Sequence, residues 1–149
     1  MDYNMSKILI ITFLITGFWD ILLQIYSHYY DTLPPILKWF KDPKILQPYF
    51  KHHTILSAFL LAAFAGAIAQ FFILKVHKLP TKSNDIYSYL LVTFIISGIV
   101  GLFMQYSGLY PILDETYYKH LGKINGFIHD GISGLIVQIT LLVILYYYK

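Results

Sequence analysis

Four apolar runs of about 20 residues constrain this chain more than any other feature. They are Ile8 to about Ser27, Thr54–Leu74, Ile86–Tyr106 and Gly126–Tyr148. A helix needs about 20 apolar residues to cross ~30 Å of hydrocarbon. The second and third runs carry no charge, and the first and fourth carry one acid each, Asp20 and Asp130. Of the whole chain, 57% is hydrophobic and only 13% charged, against about 25% charged in soluble domains. A soluble fold of 149 residues could not hide that much apolar surface. The pattern predicts an all-α, multi-pass integral membrane protein: one domain over residues 1–149, folded as a four-transmembrane-helix bundle.

The segments between the runs agree. Residues 28–53 read HYYDTLPPILKWFKDPKILQPYFKHH, and Pro34, Pro35, Pro43 and Pro48 cut them into pieces too short to span. Ile36, Leu37, Trp39 and Phe40 beside Lys38, Lys41 and Lys44 predict an element lying in the headgroup region, where aromatic rings settle and Lys can snorkel. A cleaved signal peptide is not expected, because the first run is long, contains Asp20 and Gln24, and is followed by no small-x-small site. Four spans put both chain ends on one face, side A, and the two longer loops on side B. Side A has five Lys and side B six. The positive-inside rule therefore sets no orientation.

Within the runs, small and polar residues recur at every fourth position. The first run has Thr12, Thr16, Asp20, Gln24 and His28. The second has Thr54, Ala58, Ala62, Gly66 and Gln70. The third has Thr93, Ser97, Gly101 and Gln105, and the fourth Gly126, Asp130, Gly134 and Gln138. Lipid tails are as apolar as Leu, so helices in a membrane associate through close packing at small residues and hydrogen bonds between polar ones. The stripes are expected to be packing seams whose glutamines bond one another. The competing reading is a polar cavity or pore lined by the same residues.

Asp20 and Asp130 are the candidates for chemistry. An Asp at the centre of a span costs roughly 2.5–3.5 kcal/mol on insertion scales and is by default a functional-site hypothesis. Both fall in the half of the bilayer nearer side B, with Gln24, Gln105 and His129. This set forms the candidate ligand-binding site. Two carboxylates brought together at low dielectric would share a proton, which suits proton transfer or the holding of an ammonium group. The plainer role is structural: Asp130 stabilises the start of its helix, and Asp20 bonds Gln105 or a neighbouring Thr. No metal and no cofactor are expected. Cysteine is absent, and the histidines lack the i, i+4 pairing that helical zinc sites use. There is no basic block for nucleic acid. The expected partners are membrane lipids and a second copy of the chain or another membrane protein.

Two resemblances add to this. Residues 47–70, QPYFKHHTILSAFLLAAFAGAIAQ, and 110–138, YPILDETYYKHLGKINGFIHDGISGLIVQ, with Gly17-Phe18-Trp19-Asp20, resemble an uncharacterised group of small four-span membrane proteins of large double-stranded DNA viruses. That likeness implies a virion or host membrane and no known chemistry. Residues 33–50, LPPILKWFKDPKILQPYF, are similar to the first loop of the EXPERA family of sterol isomerases and sigma-2-type receptors. That family binds sterols or cationic amphiphiles through buried acids, and Asp20 and Asp42 would take those places. The second run here has no Glu and the fourth lacks that family's Tyr/Pro-rich pattern. The leading expectation is a non-enzymatic structural or scaffolding membrane protein. The alternative is a lipid- or sterol-binding protein, or an isomerase, using Asp20 and Asp130 with Asp42. A small proton or ion pathway along the glutamine stripes is the third.

Overall fold

A computed structural model describes residues 4–29, 32–37, 55–107 and 124–147. Four helices account for most of them: α1 Met5–Tyr29, α2 Ile55–Val76, α3 Ser83–Tyr106 and α4 Asn125–Tyr147. A short 3-10 turn, Pro35–Leu37, follows α1. Each helix contains a stretch long and apolar enough to cross a membrane: Met5–Leu23, Phe59–Val76, Ser83–Met104 and Gly126–Tyr147. The expected all-α, four-span architecture is what the chain adopts. Of the segment 28–53, residues 28–29 end α1 and only residues 32–37 of the remainder fall among the described ones. The Trp39 and Lys segment, with Asp42, lies outside them.

Local chemistry sets the helix ends. Asn4 caps α1: its side-chain oxygen accepts the Ser6 amide at 3.0 Å, and its carbonyl accepts the Ile8 amide at 3.2 Å. α2 closes with Lys75 in its last turn, where a cation favours the helix dipole. Pro80 then follows, which cannot continue a helix. Asp85 sits in the first turn of α3, the end that favours an acid.

The helices pack as two extensive pairs, α1 with α2 and α3 with α4, joined by lighter α2–α3 and α1–α4 interfaces. The distribution of side chains is inverted relative to a soluble protein. Phe18, Leu22, Phe64, Leu91, Phe103 and Val143 face outward, while Thr12, Gln70, Thr93, Ser97 and Gln138 are buried. A contiguous apolar exterior of this kind marks an interface with something other than water, and the span lengths make that something lipid. Near side A, Ile8 and Ile15 of α1 meet Val137 and Leu141 of α4 in an apolar cluster, flanked by Leu74 and Leu79.

Candidate functional site

The stripes are the seams. On the α3–α4 interface, Ser97 packs on Gly134 and Asp130 packs on Gly101, so closely that a Cβ on either glycine would collide with the facing side chain. A parallel row is aromatic. Phe127 covers Gly98, and Phe94 covers Gly131, where an added Cβ would lie 2.7 Å from its ring. The two rings meet edge to face at 5.5 Å. On the α1–α2 interface, Thr16 packs on Gly66 in the same way. Small residues at the crossing let the backbones approach, which is the main source of van der Waals attraction between helices in lipid.

One turn from these contacts, toward side A, lies a closed ring of three buried side chains. The Tyr89 hydroxyl donates to Gln138 Oε1 at 2.6 Å. Gln138 Nε2 donates to Gln70 Oε1. Gln70 Nε2 donates to the Tyr89 oxygen at 3.4 Å. Tyr89 and Gln70 are fully buried and Gln138 is 2% exposed, so every bond is made out of reach of water. The ring ties α2 to both members of the α3–α4 pair. A second tie, Trp19 Nε1 to Thr140 Oγ1 at 3.1 Å, joins α1 to α4. A third closes the α2–α3 turn: His77 meets the Lys78 carbonyl through Nδ1 at 2.7 Å and Ser88 Oγ through Nε2 at 2.9 Å. The His77 and Tyr89 rings meet edge to face, with ring centres 5.7 Å apart.

Of the predicted site residues, Asp130 is half-buried against the Gly101 backbone. His129, beside it, is also half-buried, and its backbone carbonyl accepts the Ser133 hydroxyl at 2.9 Å. Asp20 is half-buried on α1 and has an interaction partner of its own. The side chains of Gln24 and Gln105 lie outside the described residues, as does Asp42. Among the described residues no three His, Cys, Asp or Glu side chains gather as a metal site would need.

A concave space of about 320 Å3 opens at the α1–α4 seam, walled by Leu14, Ile15, Phe18, Leu22 and Ile144 with Trp19 and Thr140. Its wall is apolar and Asp20 is not part of it. The residue that sequence reasoning missed is Tyr89, which stands in none of the four stripes as read from the sequence. Its spacing carried the signal, for Tyr89 continues the Thr93, Ser97, Gly101 ridge by one more turn.

Fold and interior together define a multi-pass α-helical membrane protein. Set against protein-family models, curated proteins and solved structures, the chain matches none.

Proposed function

We propose that this chain is a non-enzymatic structural or scaffolding protein of a membrane, a four-span unit that acts through lateral contacts. The resemblance of residues 47–70 and 110–138 to small viral membrane proteins makes the membrane of a large DNA virus or its host the location in this reading. The observation that carries it is the interior: glycine seams at the two main interfaces, and a closed Gln70–Tyr89–Gln138 ring between them. A binder or isomerase built on the buried acids requires an acid in the wall of a cavity of about 300 Å3 or more. The space of about 320 Å3 among the described residues is walled by apolar side chains, and neither Asp20 nor Asp130 lines it. A pathway along the glutamines would have to cross a level where Gln70 and Gln138 already bond each other.

The test is native mass spectrometry with lipid extraction, on wild type and Asp20→Asn in mild detergent, beside proton-flux measurements in vesicles. The expected result is a defined oligomer unchanged by the substitution, no stoichiometric sterol or amine, and flux no higher than in empty vesicles. A stoichiometric ligand lost in Asp20→Asn would replace this reading with the binder. Protein-dependent flux would replace it with the pathway.

A further inference from the structure

Two buried hydroxyls depart from a pattern that three less buried ones in the spans follow. Thr16, Ser133 and Thr140 each donate to the carbonyl four residues back, at 2.8, 2.9 and 2.8 Å. That is the usual way for a hydroxyl in a span to satisfy itself. Thr12 and Thr93 are fully buried, yet neither hydroxyl has a partner among the described residues. Both stand at one level of the bundle. The register that sets Thr16 on Gly66 brings Thr12, one turn nearer side A, level with Gln70. The register that sets Ser97 on Gly134 brings Thr93 level with Gln138. On that register the unsatisfied hydroxyls stand at the level of the ring, Thr12 on α1 and Thr93 on α3, and all four helices contribute to the layer.

The ring itself leaves capacity unused. Each glutamine amide has two N–H donors, and closing the ring takes one from Gln70 and one from Gln138. Two amide N–H groups and two hydroxyls remain in a layer with no access to bulk solvent. A guest that satisfies them must both donate and accept, and must fit among side chains that are at most 2% exposed. Water is the smallest molecule that does so. A buried water typically makes about three hydrogen bonds and needs two to four polar partners. We propose that this layer is a water-binding site, with ordered water bridging Thr12 to Gln70 and Thr93 to Gln138. The interior of the bundle is then hydrated at one level within the half nearer side A, and the hydrogen-bonded layer is completed by solvent.

The experiment uses the full chain in phospholipid nanodiscs, methyl-labelled at threonine, with water-to-methyl cross-relaxation read by NMR. The exposed Thr81 is the internal control. Stability is measured in parallel on Thr12→Val, Thr93→Val and Thr93→Ser. The proposal expects long-lived water at the Thr12 and Thr93 methyls. It also expects each Val variant to lower the folding equilibrium constant about threefold, the effect of one average hydrogen bond in a membrane, and Ser to stay near wild type. Orphan hydroxyls give the opposite sign, because removing a buried unsatisfied group relieves its desolvation cost. Val variants as stable as wild type or more so, or methyls without water contact while Thr81 reports it, overturn the site.

Discussion

Replacing Gln138 by Leu tests whether the buried ring acts as a unit. The substitution deletes two hydrogen bonds, the one accepted from Tyr89 and the one donated to Gln70. Between membrane helices such bonds average about 0.6 kcal/mol each. The larger effect is what stays behind. The Tyr89 hydroxyl loses its acceptor and Gln70 Oε1 loses its donor, both in a fully buried layer. A buried polar group stranded in this way costs about 1–3 kcal/mol. The low end applies here, since the unfolded chain in a bilayer also lies away from water. Gln138→Leu should therefore cost about 2–3 kcal/mol. The triple variant Gln70→Leu, Tyr89→Phe, Gln138→Leu removes every partner at once and strands none within the ring. It should cost less than the single change, about 1 kcal/mol or under, because replacing all partners by apolar groups of similar shape is close to neutral. Equilibrium unfolding in bicelles reads both values. A triple variant that loses more than the single one, or a single variant within about 0.3 kcal/mol of wild type, would refute the closed ring.

Further consequences follow from the seams and ties. Gly134→Ala drives a methyl into Ser97 and should cost about 1–3 kcal/mol. Ser97→Gly in the same chain should recover part of that loss, offset by about 1 kcal/mol for a further glycine inside a helix, and both are read by the same unfolding assay. Thr140→Val removes the acceptor for the Trp19 indole. In a Trp39→Phe background the Trp19 emission should shift to shorter wavelength, with stability lowered by about 0.6 kcal/mol. His77→Ala opens the tie across the α2–α3 turn. It should raise hydrogen exchange at Ser88 and Tyr89 and cost about 0.5–1.5 kcal/mol, while exchange in the middle of α1 stays unchanged.

Much of the fold was legible because the bilayer imposes one requirement on every span. The run read as 86–106 is the helix Ser83–Tyr106, and the run read as 126–148 is Asn125–Tyr147. The stripes were legible for the same reason. In lipid, small and polar residues at helical spacing have no better place than a helix–helix contact, and Ser97, Gly101, Asp130 and Gly134 all lie in one. Partner choice was not legible. Spacing puts Gln70 and Gln138 on the inner faces of their helices, but which groups meet depends on the register between helices. That register is set by Gly134 under Ser97 and Gly66 under Thr16, contacts between residues far apart in the chain. Tyr89 was missed because a Tyr near a span end ordinarily sits in the headgroup belt. Here the ridge carries it inward and the bundle gives its hydroxyl an acceptor.

The two halves of the bundle resolve their polar groups differently. In the half nearer side A, Gln70, Tyr89 and Gln138 bond one another, and the ring draws the lightly packed α2–α3 interface together. In the half nearer side B, Asp130 lies against Gly101 without a hydrogen bond to any described residue. A carboxyl group cannot be stabilised by packing alone, since its oxygens still require donors. Yet packing is what places it there, as the Gly101 notch accepts the Asp130 side chain and would reject it if a methyl were added. Asp130→Leu keeps a side chain over that notch and removes the polar demand, whereas Gly101→Ala keeps the demand and removes the notch. If Asp130 serves the seam alone, the first variant should be as stable as wild type or more so, and the second should lose about 1–3 kcal/mol, with the oligomer unchanged in Asp130→Leu. A folded Asp130→Leu that loses its oligomer would instead assign the carboxyl to a contact beyond this chain.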